Sequence, residues 1–180
     1  AVSRNFPLGS RQGNYTWDEL NKRFDELLNL YSNIISERLV IGQSVEGRDI
    51  WAFKISDNPN VDEDEPEVLY TSLIHAREPL SMMNLFYFVQ KLAEGYNSDE
   101  EFTYLVNNRE MWFVPVVNPD GYVFNEQIEP FGGGMHRKNR RNTNCGNGTT
   151  RGVDLNRNFG YEWGANNTGS SPDPCSDVYR

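Results

Sequence analysis

The stretch Ser72-Leu73-Ile74-His75-Ala76-Arg77-Glu78-Pro79-Leu80 sets a histidine and a glutamate three residues apart, beside an arginine, just after an apolar run. Imidazole nitrogen and carboxylate oxygen are both good zinc donors. A catalytic zinc site commonly takes two His and one Glu and keeps one position for water. The chain has only two histidines, His75 and His136. A His-x-x-Glu pair also arises by chance, and the same residues would serve as a polar loop whose Glu78 favours a helix N-terminus. Three later segments add to the pattern. Asn118-Pro119-Asp120-Gly121-Tyr122 reads as a turn, and Met135 to Arg141 is a basic cluster in an acidic chain. Gly152 to Phe159 sets the amide of Asn156 beside the guanidinium of Arg157. Read blandly, these are a turn, a solvated basic loop and an ordinary loop. Read chemically, they gather planar guanidinium forks suited to a carboxylate near a possible metal.

Such residues need elements to position them. The run Val68 to Ile74 is nearly all apolar or β-prone, which predicts a strand covered on both faces. His75 then lies at the strand's carboxyl end, where open α/β sheets bind ligands. Pro79 suits the first turn of a helix carrying Leu80, Met83, Leu85, Phe86, Val89 and Leu92, with Gly95 as its stop. Upstream, Thr16 and Glu19 form a capping box, and apolar spacing predicts a helix over about 17–32. Val40-Ile41 and Ile50 to Ile55 read as strands joined by a turn at Glu46-Gly47-Arg48. The acidic run Asp62 to Glu67 could attract a cation, but is read here as a solvated loop. Ser98 and Glu101 make a second capping box before Phe102, Leu105 and Val106, and Glu110 to Val117 reads as another buried strand. The order α, β, β, β, α, α, β is that of an α/β fold. Residues 118–180 are rich in Gly, Asn, Pro and Arg with little apolar periodicity, a pattern that is usually functional or disordered. No repeat or boundary divides the chain, so residues 1–180 are read as a single domain.

Composition narrows the classes. The 180 residues are 37% hydrophobic and 24% charged, ordinary for a globular chain, and the net charge of −9 disfavours a nucleic-acid partner. No apolar run approaches the ~18 residues that span a bilayer, so no membrane partner is expected. The start at Ala1 rather than Met is read as a trimmed N-terminus. Cys145 and Cys175 sit in a polar, glycine-rich region, either as a disulfide or as two unrelated thiols. N-x-[ST] sequons begin at Asn14, Asn147 and Asn166. Sequons and cysteines together favour a secreted glycoprotein.

Taken in order, the segments resemble one family. They are Ile41 to Arg48, His75-Ala76-Arg77-Glu78, Asn118 to Tyr122, Arg137 to Arg140, Gly152 to Phe159 and Ser171 to Tyr179. Together they are similar to the zinc metallocarboxypeptidases of the funnelin type, the pancreatic carboxypeptidase A and B family, over nearly the whole chain. The resemblance implies a three-layer α/β/α fold with a mixed, mostly parallel twisted sheet, of which this chain supplies only the N-terminal part. It implies Zn2+ as cofactor, with His75 and Glu78 as ligands and Asp154 holding the ligand imidazole. It implies that Arg137 stabilises the oxyanion. Asn156 and Arg157 would grip the terminal carboxylate of a peptide or protein substrate, with Arg77 as a secondary contact, and Cys145 would pair with Cys175. The family's second zinc histidine, general-base glutamate and substrate-capping tyrosine fall beyond Arg180. His136 is rejected as a replacement, because it abuts Arg137 where the family has no ligand. The 180 residues are therefore expected to be the incomplete N-terminal portion of a catalytic domain. Alone they should be poorly stable, or need a complementing C-terminal segment or chain. The expected function is zinc-dependent removal of C-terminal residues. The alternative is a non-catalytic fragment or relative that binds peptide C-termini through Asn156 and Arg157.

Overall fold

The computed structural model describes residues 6–166 and 168–180. Ala1, and Asn167 at the middle of the third sequon, lie outside them. The capping box at Thr16 forms as expected: its side chain accepts from Glu19 N–H while Glu19 reaches back. It opens helix α1, Trp17–Tyr31, which buries Leu20, Phe24 and Leu27. Strands β1, Leu39–Gln43, and β2, Asp49–Ile55, follow. The turn between them passes through Gly47 at φ 81°, a left-handed conformation that glycine takes without a Cβ penalty. Next come β3, Glu67–Thr71, and two helices, α2, Leu80–Gly95, and α3, Glu100–Asn108. β4, Glu110–Val114, and α4, Pro119–Ile128, complete the main elements, and a 3-10 turn spans Leu155–Arg157.

The sheet order is β1-β2-β4-β3. β1 with β2 and β2 with β4 are antiparallel, and β3 with β4 is parallel. The α/β class and the mixed sheet are as expected, but the parallel majority is not found among the described strands. Register places Phe53, Phe113 and Tyr70 side by side on one face, with stacked rings 5.1 and 5.0 Å apart. Phe24 of α1 packs on Phe53 at 4.8 Å and Phe88 of α2 packs on Tyr70 at 5.4 Å, so both helices cover that same face. Offset aromatic contacts of this kind add about 0.5–1.5 kcal/mol each beyond the area they bury.

Three expectations need correction. β3 is not covered on both faces: it is outermost in the described sheet, and Leu69, on the face opposite α1 and α2, is 65% exposed. A continuous apolar run records that cover is required without naming what supplies it. The second cap shifts by one residue. Asp99 accepts from Glu101 and Phe102 N–H, because Ser98 Oγ already donates to the Glu94 and Gly95 carbonyls that close α2. Asn118 to Tyr122 is no free turn but the start of α4, with Asn118 as cap and Pro119 in the first turn. Turn chemistry and helix-start chemistry use the same residues, and Gly121 masked the difference. A Cβ at Gly121 would lie 2.6 Å from the Lys138 carbonyl and 2.7 Å from Ala76 Cβ, so the glycine serves close approach.

That approach builds the junction beneath the loops at the ends of β3 and β4. Asn118 Oδ1 accepts from Gly121 N–H at 3.1 Å, while its Nδ2 donates to the carbonyls of Ile74 at 3.3 Å and Lys138 at 3.0 Å. One side chain thus joins the exit of β3, the start of α4 and the basic loop. Asp120, 1% exposed, accepts from Ser44 Oγ, Glu46 N–H and Arg48 Nη1, fastening the β1–β2 turn to the same junction. Asn118→Ala deletes the cap and the donors together. It is expected to lower unfolding free energy by about 2–4 kcal/mol in urea denaturation of the protein with its complementing segment. A loss under about 0.5 kcal/mol, the scale of a neutral surface change, would contradict this role.

Candidate metal centre

Beyond the carboxyl end of β3 the chain turns sharply, and Glu78 N–H donates to the His75 carbonyl at 3.2 Å. This tight turn brings both side chains to one place: His75 Nδ1 lies 3.0 and 3.1 Å from the two Glu78 oxygens. The other ring nitrogen, Nε2, lies 3.2 Å from Asp154 Oδ1. Asp154 is fully buried. Its Oδ1 also accepts from Asn156 N–H at 2.9 Å, and its Oδ2 accepts from Arg137 Nε at 3.0 Å and Nη2 at 2.9 Å. Arg137 Nη1 approaches Glu78 Oε1 at 3.8 Å. The Ala76 N–H donates to the Arg137 carbonyl at 3.1 Å, tying the basic loop to the His75 turn.

This geometry has one consequence for protons. A neutral imidazole carries one N–H, yet His75 has a carboxylate at each nitrogen. Asp154 accepts from an arginine and an amide, and a donor at Nε2 completes its shell. That assigns the proton to Nε2 and leaves the Nδ1 lone pair facing an acceptor at 3.0 Å. A cation between Nδ1 and Glu78 removes the conflict. Two donors ~2.1 Å from one zinc in a tetrahedral shell lie about 3.4 Å apart, a few tenths of an ångström wider than this pair, so a small outward movement of Glu78 would admit the ion. The residues therefore fit zinc, which His75 and Glu78 would hold while Asp154 would fix tautomer and ring orientation. Among the described residues, no third histidine, cysteine or carboxylate joins His75 and Glu78 to make a group of three.

The other expected residues are placed less uniformly. Asn156 and Arg157 stand on the 3-10 turn immediately after Asp154 and line a cavity of about 320 Å3 with Phe159, Tyr161 and Trp163. Arg157 Nε donates to the Gly169 carbonyl at 2.6 Å and Nη1 to the Asn156 carbonyl at 2.8 Å, leaving Nη2 without a hydrogen-bond partner among the described residues. Arg77 is turned towards Asp177, at 3.2 Å. Cys145 and Cys175 are bonded, with Cα atoms 5.2 Å apart, which settles the alternative left open by composition. The closed loop contains Asp154, Asn156 and Arg157, so the cross-link restrains the segment that holds them.

The solvated reading of the basic cluster does not hold. His136, Lys138 and Arg140 are buried, at 0%, 0% and 5% exposure. Lys138 Nζ donates to the Ser176 carbonyl at 2.8 Å and Arg140 lies 3.7 Å over the Phe124 ring. Burial pushes the Lys138 ammonium down, against the pull of Asp177, Asp154 and Asp173. Lys138, Asn118 and Asp120 are positioning residues that motif reading did not single out. Burial alternates strictly across residues 136–140, but all five are polar, so nothing in the sequence announced it. His136 lies away from the metal pair, with Nδ1 3.1 Å from the Thr149 carbonyl and Nε2 3.1 Å from the Asn139 carbonyl.

Comparison with known proteins gives a consistent picture. The zinc carboxypeptidase family model matches residues 20–180. A zinc carboxypeptidase of Saccharothrix mutabilis subsp. capreolus is 38% identical over 162 residues, covering 90% of this chain and 36% of that protein. An inactive metallocarboxypeptidase of Uncinocarpus reesii is 35% identical over 158 residues, covering 85% of this chain and 25% of that protein. The crystal structure of carboxypeptidase A from Helicoverpa armigera superposes with a TM-score of 0.76 at 33% identity, covering 99% of this chain and 42% of that one. The chain thus spans between 25% and 42% of the length of these three proteins.

Burial holds the His136 imidazole below its usual value of 6.5, with Arg140 adding repulsion and the Asn139 and Thr149 carbonyls opposing. A folded-state value below the unfolded one means the unfolded chain takes up this proton first. His136 therefore contributes stability that is complete above about pH 6.5 and is lost as pH falls through the lower folded value. Equilibrium unfolding of the protein with its complementing segment across pH 7.5 to about 5 should show this loss, and His136→Gln should flatten it. An unchanged pH slope in the variant would contradict the assignment.

Proposed function

The chain belongs to the zinc carboxypeptidase family, and from that premise we propose that it is part of a zinc-dependent exopeptidase that hydrolyses the C-terminal bond of peptides and proteins. The observation that carries the reading is the chain of contacts Glu78–His75–Asp154–Arg137. A donor pair, its orienting carboxylate and a guanidinium converge there at hydrogen-bond distances.

His75 Nδ1 and Glu78 would hold the zinc, which when bound would supply Lewis-acid activation of water and of the scissile carbonyl. Asp154 keeps the His75 proton on Nε2, so Nδ1 stays a lone-pair donor. Arg137 is oriented by Asp154 through two donors, leaving Nη1 directed at the Glu78 side, where it meets negative charge developing on the substrate carbonyl oxygen. Asn156 and Arg157 bind the terminal carboxylate, the one group every peptide C-terminus shares. Fixing that end sets the register, so only the last peptide bond reaches the reacting centre. Arg77 contacts substrate secondarily, exchanging its pairing with Asp177. The disulfide and the exposed sequon at Asn147 support secretion and glycosylation.

The site needs a further segment. Among the described residues two donors converge where a catalytic zinc commonly has three. The outer strand β3 leaves Leu69 and Val68 exposed at 65% and 37%. A complementing C-terminal segment or chain supplies the third ligand and the general base, and covers β3. The 180 residues are thus the N-terminal portion of one catalytic domain.

In the complemented, zinc-loaded protein, Arg137→Ala should lower kcat by about 10²–10³ with little change in KM. Amidating the substrate C-terminus should cost a comparable factor in kcat/KM, and Arg157→Ala should abolish this discrimination. Equal turnover of acid and amide would refute carboxylate recognition at Asn156 and Arg157. The inactive relative favours one alternative, a chain that binds C-termini without cleaving them. Tight peptide binding with no turnover in the zinc-loaded, complemented protein would select it. The isolated 180 residues should bind a hydrophobic dye and melt without cooperativity, and the complement should suppress both. A sharp dye-free melt of the isolated chain would remove the need for it.

A further inference from the structure

A second polar cluster lies at the far ends of β3 and β4 from His75. Asp62, in the β2–β3 loop, Glu67, the first residue of β3, and Glu110, the first of β4, bring carboxylate oxygens within 4.8 Å of one another. Parallel register sets Glu67 directly beside Glu110. Two like charges facing each other across a strand pair are destabilising unless something neutralises them.

Glu110 is the unusual member. It is 1% exposed, and its Oε1 accepts from Lys54 Nζ and from the Glu63 N–H. The buried ion pair with Lys54 holds this carboxylate in its charged form. Its Oε2 is sealed from solvent and accepts no hydrogen bond among the described residues. Unlike Asp62 and Glu67, which are exposed, that oxygen cannot be satisfied by bulk water. A buried ionised acceptor without a partner carries a desolvation penalty in full. Lys54 offsets one of the three charges. Its Nζ is committed to Glu110 Oε1 and the Val61 carbonyl.

We propose that Asp62, Glu67 and Glu110 form a second metal site, distinct from the His75–Glu78 pair, that takes a hard divalent cation of the calcium type. All three donors are carboxylate oxygens. Oxygen-only sets suit calcium, which accepts irregular geometry and completes its shell with carbonyls or water, whereas zinc favours nitrogen and sulfur. The cation supplies Glu110 Oε2 with a partner and neutralises the Glu67–Glu110 pair. It also pins the acidic loop to the starts of β3 and β4, and so clamps the outer strand to its only described neighbour. The acidic run that reads as a solvated loop is, in this account, one wall of a binding site.

The test uses the zinc-loaded protein with its complement, freed of calcium. Calcium titration by calorimetry should show a saturable site with Kd of roughly 10⁻⁵–10⁻³ M. Saturating calcium should raise Tm by about 3 °C or more, and the same concentration of magnesium should raise it less. The double variant Asp62→Asn, Glu67→Gln removes two exposed carboxylates and should keep the calcium-free Tm while losing the shift. In His75→Ala the calcium shift should persist, because that change touches only the first site. Hydrogen exchange on the unmutated protein gives the answer without any variant: calcium should slow exchange within 57–67 and at the start of β4. No binding heat and no Tm shift at about 10 mM calcium would overturn the proposal. So would an undiminished shift in the double variant, or protection confined to other segments.

Discussion

The buried carboxylate of Asp154 is the constraint on which the rest depends. A charge removed from water must be met by donors from every side, or it is not tolerated. Here the donors are the two Arg137 nitrogens, the Asn156 amide and His75 Nε2. Each comes from a different part of the chain, so satisfying one anion assembles the His75 imidazole, the cationic side chain and the segment carrying Asn156 and Arg157. The geometry of the site is then a by-product of paying for one burial.

The scaffold repeats this device on a larger scale. Asn118 joins β3, α4 and the basic loop through three backbone groups, and Asp120 draws in the β1–β2 turn through Ser44, Glu46 and Arg48. Lys138 reaches the opposite way to the Ser176 carbonyl, close to the disulfide at Cys175. Buried polar groups that bond to backbone from distant segments fix loops which have little apolar periodicity of their own. The long region after β4 therefore has definite structure despite its loop-like composition.

Much of this was legible beforehand because local chemistry and tertiary role coincide. Thr16 and Glu19 make a capping box wherever they stand, and the spacing of Leu20, Phe24 and Leu27 announces a buried helix face. His75 and Glu78 were readable as a convergent pair because their spacing and their place after an apolar run bring the two side chains together. What was not legible depends on partners distant in sequence. Gly121 looks like a turn residue until the Lys138 carbonyl is seen against it. The basic cluster looks solvated until Phe124 and Ser176 are in place beside it. The apolar run at β3 promised cover on both faces, and a run of that kind cannot say which segment supplies it. Glu110 was read only as the start of a strand, since an orphaned oxygen exists only once the fold has buried it.

The central claim is that Asp154 holds the His75 proton on Nε2 and turns Nδ1 to the metal. Nitrogen-15 NMR of the imidazole rings tests it directly, and with only two histidines in the chain the assignment is simple. In the zinc-loaded protein the account requires a hydrogen-bonded proton on His75 Nε2 and a metal-shifted, proton-free Nδ1. A proton found on Nδ1, or zinc at Nε2, would contradict it.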